Sequence, residues 1–158
     1  MKAASLKELK NELVHLHPVQ ITELCLRLAR FKKENKELLT YLLFEAHDED
    51  AYRKNVKQLM NEQFEEMNTK NLYLAKKTLR KILRTANKFI KYSGNKETEA
   101  EILLHFCLTL KESGISYQKN KVLSNIFQAQ LKKINAAVAA LHEDLHYDFQ
   151  RKYEQLED

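Results

Sequence analysis

The sequence predicts an all-α protein of about seven helices, and two observations carry that prediction. The 158 residues include two glycines and one proline, whereas sheets depend on turns rich in Gly, Pro, Asn and Asp. Apolar residues also recur at spacings of three and four along nearly the whole chain, which is the period of an amphipathic helix. The length suits a single helical domain, residues 1–158, with a proper hydrophobic core.

The individual helices can be placed from their apolar spacing and from their start and stop signals. Residues 17–18 break the first helix, and Pro18 suits the first turn of the second. The acidic residues 48–50 open the fourth helix, and the turn at 93–95 closes the fifth. The predicted helices cover roughly residues 4–16, 18–32, 35–47, 48–67, 71–92 and 97–111, and a last helix begins near 117.

Two of these helices have unusual patterns. Residues 38–44 (Leu-Leu-Thr-Tyr-Leu-Leu-Phe) are apolar on nearly every side of the third helix, so we expect that helix to be central in the core. The last helix contains no Gly or Pro after residue 117 and keeps its apolar period to Phe149. It is therefore predicted either as one helix of nearly 40 residues, well above the usual length, or as a helix with a kink.

Short loops between successive helices fit two architectures, a compact bundle and a right-handed α-α superhelix of antiparallel hairpins. The stretch HPVQITELCLRLARFKKENKELLTYLLFEA resembles armadillo or HEAT units in its short, leucine-rich helix pairs. That resemblance implies a superhelical scaffold with a concave binding face. The chain is also similar to uncharacterised all-helical bacterial proteins, a likeness that implies nothing about mechanism.

The charge of the chain is concentrated in one segment. Residues 67–96 carry nine basic and no acidic side chains, whereas the whole chain has a net charge of +5. At about 100° per residue, six of these cations and one tyrosine lie on the side of the fifth helix opposite its apolar arc. Such a stripe is a candidate surface for an anionic partner. The predicted binding residues are Tyr73, Lys77, Arg80, Lys81, Arg84, Lys88 and Lys91.

This stripe has three interpretations: a solvated face, a site for a polyanion, or a site for an acidic protein surface. Single-strand binders place exposed aromatic rings beside the cations for base stacking. The aromatic candidates are Tyr73, Tyr92 and Tyr117, and the acids that could neutralise the start of the stripe are Glu62, Glu65 and Glu66. We expect a non-enzymatic helical scaffold or protein-interaction module with an unidentified protein partner. Nucleic-acid binding through the basic face of helix 71–92 is the alternative.

One short motif suggests zinc chemistry. Residues 142–146 read His-Glu-Asp-Leu-His and match the H-E-x-x-H signature, in which two histidines bind zinc and the glutamate activates water. The charged Asp144 lies within the motif, 12 residues remain for a third ligand, and no strand is predicted. The Glu-x-x-His spacings at 12–15 and 143–146 do not follow the helix order of di-iron bundles. We interpret both patterns as chance matches and expect no metal site.

Other enzyme classes leave no signature here. Two glycines cannot build a glycine-rich phosphate loop. Cys25 and Cys107 lie on apolar helix faces, which is typical of buried thiols in a reducing compartment. We find no signal peptide and no apolar run of membrane length. The expectation is therefore a cytoplasmic protein with no cofactor, no membrane partner and no catalytic residues.

Overall fold

The computed structural model describes residues 1–157, and all the regular secondary structure in that range is helical. The all-α prediction is confirmed, with eight α-helices in the described residues rather than about seven. A π-helical segment, Tyr41–Glu45, continues α3, and a short 3-10 turn, Tyr117–Lys119, precedes α7. The helices are α1 Leu6–Leu13, α2 Pro18–Phe31, α3 Lys33–Thr40, α4 Glu49–Glu65, α5 Leu72–Ser93, α6 Lys96–Glu112, α7 Lys121–Ala139 and α8 Glu143–Glu157.

The chain divides into two compact units, one over residues 1–44 and one from Glu45 onward. The prediction of a single domain stays a prediction. The hydrophobic core lies in the second unit, where α6 packs against α4, α5, α7 and α8. The buried side chains of α6 are Thr98, Ala100, Ile102, Leu103, Leu104, Phe106, Cys107 and Leu110. Because they point in several directions around the helix, α6 is the central helix of this unit.

The expectation that the third helix is central is wrong. No residue of α1, α2 or α3 is buried, and in the π-helical segment that follows α3 the buried side chain is Tyr41. Leu42 and Leu43 are 56% and 63% exposed. The all-round apolar pattern at residues 38–44 therefore marks an uncovered surface of the first unit rather than a core.

The last predicted helix is two helices, α7 and α8. The amides of Ala140 and Leu141 bond to carbonyls three residues back, which tightens and ends α7. The imidazole Nδ1 of His142 then accepts a hydrogen bond from the amide of Asp144, at 3.3 Å, and so caps the start of α8. Glu143 and Asp144 occupy the first turn, where acidic side chains favour a new helix N-terminus.

An ion cluster joins three helices of the second unit. Lys57 of α4 and Lys152 of α8 both approach the carboxylate of Glu101 on α6, at 2.5 and 3.6 Å. Burial alone would raise the pKa of Glu101, but the hydrogen bond and charge of Lys57 and the charge of Lys152 outweigh it and lower that pKa. The cluster therefore contains a carboxylate held in its charged form, and it helps to fix α4 and α8 against α6.

No helix in residues 1–157 combines the length and the apolar character that crossing a bilayer requires.

Candidate protein-docking groove and cationic helix face

The helix that carries the predicted cations is well defined at both ends. The side chain of Asn71 accepts hydrogen bonds from the amides of Tyr73 and Leu74, at 3.0 and 3.1 Å, and caps the N-terminus of α5. Gly94 ends the helix in the left-handed conformation, with φ of 64°. The apolar arc of α5 is buried against α4 and α6, through Ala75, Leu79, Ile82, Leu83 and Ala86. The opposite side of α5 is thereby left to solvent.

The structure brings the predicted binding residues together on that side, which we call the cationic face. Its exposed members are Tyr73, Lys77, Arg80, Lys81, Arg84 and Lys91. Lys88 is half-buried, and its Nζ lies 5.1 Å from the centroid of the Phe89 ring. The predicted positions therefore share one surface, with Lys88 at its margin.

The exposed cations of this face form no ion pair among residues 1–156, whose side chains the structure describes. No carboxylate oxygen of those residues lies within 4.0 Å of the side-chain nitrogens of Lys77, Arg80, Lys81, Arg84 or Lys91. The acids proposed from the sequence as counterions, Glu62 and Glu65 of α4 and Glu66 just after it, form no ion pair within the same described range. The positive charge of the face is therefore not neutralised from α4.

The aromatic candidates for base stacking are not assembled. Tyr73 is 76% exposed on the cationic face. Tyr92 is buried and meets the Phe89 ring edge-on, with the ring centroids 6.0 Å apart. Tyr117 is buried and stacks on Phe127, with a centroid distance of 4.6 Å. Of the three tyrosines, one remains available to stack on a base.

A second candidate surface is the helix hairpin formed by α2 and α3. A single residue, Lys32, in an extended conformation, separates the two helices. The side-chain amide of Asn35 donates a hydrogen bond to the carbonyl of Leu28, at 2.9 Å, and so ties the start of α3 to the end of α2. The backbone amide of His17 likewise donates to the side chain of Gln20, at 2.9 Å, at the start of α2. The hairpin is therefore fixed by local hydrogen bonds.

Large apolar side chains remain uncovered on the first unit. Residues 1–44 contribute fifteen of the twenty large hydrophobic side chains that are exposed in residues 1–157. They include Leu28 at 60% and Phe44 at 66%. Single exposed apolar residues are ordinary, but a contiguous set of them marks an interaction surface.

The hairpin carries two open grooves. The larger, about 770 Å³, has an apolar floor and a cationic rim, and we call it the basic groove. The groove is lined by apolar residues, which we call its floor, by three cations, which we call its rim, and by Thr40. The floor is Leu26, Ala29, Leu39, Leu43 and Phe44, and the rim is Arg30, Lys33 and Lys36. On the rim, Lys33 lies 3.6 Å from the carboxylate of Glu37. The smaller groove, about 240 Å³, is almost wholly apolar and is lined by Cys25, Leu28, Ala29, Asn35, Leu38, Leu39 and Leu42.

The H-E-x-x-H residues are arranged as structural elements of a helix start. His142 precedes the first residue of α8, and the Nε2 of His146 lies 2.9 Å from the carbonyl oxygen of Leu141. Within residues 1–156, whose side chains are described, no three His, Cys, Asp or Glu side chains are grouped closely enough to hold a metal ion.

No family model, no curated protein and no solved structure matches this chain. Its function is therefore inferred from the two surfaces.

Sequence reasoning found the cationic face but missed the hairpin grooves. The missed signal is the run of apolar residues on all sides of the third helix. Such a pattern fits a helix inside a core, and it also fits a surface that awaits a partner.

Proposed function

We propose that the protein is a non-enzymatic helical interaction module that docks an amphipathic helix of a partner protein in the basic groove. The observation that carries the proposal is the uncovered apolar surface of the α2–α3 hairpin. The proposed partner helix presents apolar residues to the floor of the groove and acidic residues to its rim.

Energetics favour an occupied groove. Helices of 8 and 14 residues are marginal in water unless tertiary packing buries an apolar face. α2 and α3 have no buried side chain, so they lack much of the packing that stabilises helices elsewhere in the chain. A partner that covers the groove removes apolar surface from water at about 25 cal/mol per Å² and stabilises the hairpin as it binds.

The length of the hairpin suits a helical partner. The residues that line the groove along α3 and the π-helical segment run from Lys33 to Phe44, about 16 Å or roughly three helical turns. An amphipathic helix of similar length can lie along such a groove with anchors at positions i, i+3 or i+4, and i+7. The floor offers leucine side chains and Phe44 to those anchors.

The charge of the rim favours an acidic partner. Arg30, Lys33 and Lys36 line the groove, and no acidic residue does so in the described part of the chain, although Lys33 pairs with the neighbouring Glu37. Acidic residues flanking the anchors would meet this rim and favour the correct partner and orientation over a basic or neutral helix.

The armadillo- or HEAT-like superhelix is part of the same proposal. It is supported by the close connections of α2 to α3 through one residue and of α5 to α6 through Gly94 and Asn95. Stacked helix pairs of this kind commonly serve as binding scaffolds.

A peptide-library selection tests the function directly. The purified protein is used to select from a displayed library of helical peptides about four turns long, and the affinities of the enriched peptides are measured by fluorescence anisotropy. We expect enrichment of sequences with three apolar anchors at helical spacing and Asp or Glu beside them. Lys-flanked versions of the same peptides should bind at least tenfold more weakly.

Two variants locate the binding site. Leu43→Gln, in the floor, should weaken binding at least tenfold. Leu72→Gln changes an exposed leucine of α5, outside the groove, and should leave the affinity unchanged. Selection of no common pattern, or equal binding to the Leu43→Gln variant, would remove the proposal.

A further inference from the structure

The cationic face of α5 is a second, independent surface with a different chemistry. The basic groove combines charge with an apolar floor, whereas the cationic face presents five exposed cations and Tyr73. A surface of this composition can attract an anion, but it offers little apolar area to bury.

We infer that the cationic face of α5 binds the phosphate backbone of double-stranded nucleic acid. The inference goes beyond the proposed docking of a protein helix, because it concerns another unit of the chain and another class of partner.

Charge supplies the first reason. The exposed cations have no carboxylate within 4.0 Å in the described residues, so binding a phosphate does not require breaking an existing ion pair. Mixed surfaces that serve only solubility intersperse both signs of charge. Residues 67–96 contain no acid at all.

Length supplies the second reason. Lys77 and Lys91 are separated by 14 residues, or about 21 Å along the helix axis. Double-stranded DNA carries one charge per about 1.7 Å of its own axis, so a duplex segment as long as this part of α5 contains about twelve phosphates. The phosphates on one side of that segment face the protein. Five cations on a rigid helix can therefore meet several phosphates at once without bending the protein.

The aromatic residues decide between double and single strands. Single-strand binding without sequence preference combines cations with several aromatic platforms on which bases stack. Because Tyr92 and Tyr117 are buried, Tyr73 is left as the exposed ring of that set. A duplex keeps its bases stacked internally and needs phosphate contacts alone, which is what the face offers.

The test is fluorescence anisotropy with a labelled 30-base-pair DNA duplex of mixed sequence, a 30-base-pair RNA duplex and a 30-nucleotide single strand. If all five exposed cations contact phosphates, the slope of log K against log salt for duplex DNA is about −4.5. We expect the duplexes to bind with little sequence preference and more tightly than the single strand. The two duplex arms show whether DNA or RNA is preferred.

A matched pair of charge variants identifies the surface. The first changes Lys77, Arg80, Arg84 and Lys91 to Gln, and the second changes Lys119, Lys121, Lys132 and Lys133 to Gln. Both remove four positive charges and leave the apolar arc of α5 intact, and circular dichroism checks that both remain folded. The α5 variant should lose at least tenfold in duplex affinity at 100 mM salt and flatten the slope to about −1. The second variant should lose less than threefold.

Three results would overturn the inference. One is no duplex binding at 50 mM salt and 50 μM protein, and another is an equal loss in the two charge variants. The third is that polyglutamate displaces the labelled duplex as effectively as unlabelled duplex does at the same concentration of negative charge. The face would then be a site for an acidic protein rather than for nucleic acid.

Discussion

The difference between the core and the uncovered apolar surface of the α2–α3 hairpin can be tested with one leucine in each. Leu103 of α6 is fully buried, whereas Leu28 of α2 is 60% exposed. Changing a fully buried leucine to alanine removes its transfer free energy and leaves a cavity, so Leu103→Ala should lower the free energy of unfolding by about 3–5 kcal/mol.

The cost at Leu28 is set by its exposure. About two fifths of the side chain is covered, so Leu28→Ala removes about 1 kcal/mol of transfer free energy and opens no closed cavity. The higher helix propensity of alanine offsets a few tenths of a kcal/mol of this loss. We therefore expect a net destabilisation of about 0.5–1 kcal/mol.

Urea unfolding followed by circular dichroism at 222 nm measures both costs, because the helices of both units contribute to that signal. Each cost is read from the unfolding transition that the substitution shifts. If Leu28→Ala destabilises its unit as strongly as Leu103→Ala destabilises the other, α2 belongs to a packed core, and the hairpin lacks the uncovered apolar surface on which the docking proposal rests.

Three further predictions concern ionisable groups of the second unit. Because the pKa of Glu101 is lowered in the folded protein, its carboxylate stabilises the fold above its ordinary pKa of 4.5, and this stabilisation is lost as the pH falls from 4.5 through the folded pKa. In thermal melts at pH 3 to 7, Glu101→Gln should lower the stability at neutral pH and flatten the dependence of stability on pH. Burial lowers the pKa of His105, with the charge of Lys57 acting in the same direction, so the free energy of unfolding should begin to fall as the pH drops below 6.5. In the same thermal melts, His105→Gln should remove this loss, which begins at a higher pH than the loss from Glu101. Burial raises the pKa of the Cys107 thiol to about 12, so a thiol reagent at pH 8 should label the half-buried Cys25 rapidly and Cys107 only in denaturant. Rapid labelling of both thiols in the native protein would contradict the packing around α6.

The features that sequence predicted well are those set by local chemistry. Asp48 and Asn71 cap α4 and α5, and Gly94 ends α5 in the conformation that glycine favours. The period of α5 also placed its apolar residues from Ala75 to Ala86 inward and its cations outward, whereas Leu72 in the first turn is 45% exposed. These outcomes depend on one helix and its nearest neighbours, so a short stretch of sequence contains the necessary information.

The position of the third helix could not be obtained in the same way. An apolar run such as residues 38–44 has the same pattern whether another part of the chain or a separate molecule covers it. Burial depends on the tertiary arrangement, and here α6 takes the central position instead. The α7–α8 break was missed for a different reason: a histidine cap followed by two acids ended one helix and began the next without Gly or Pro.

The burial of Tyr92 shows how a short-range rule can fail at a helix end. Its angle placed it at the edge of the cationic arc, yet it packs against Phe89 one turn earlier and is 8% exposed. An angular plot treats every turn of a helix alike, whereas the packing around the last turn also depends on the path of the chain beyond the helix. This residue matters for function because its burial removes one of the stacking platforms expected of a single-strand binder.

The two proposed surfaces can be distinguished for any partner that is later identified, even though both attract acidic groups. Docking in the basic groove buries apolar floor residues, so it should show a negative heat-capacity change and modest salt dependence. Binding at the cationic face exchanges phosphates for released counterions, so it should weaken steeply with salt and show little heat-capacity change. Calorimetry at two temperatures and two salt concentrations therefore assigns a partner to one surface before any residue is changed. A partner that shows both signatures would engage both units of the chain.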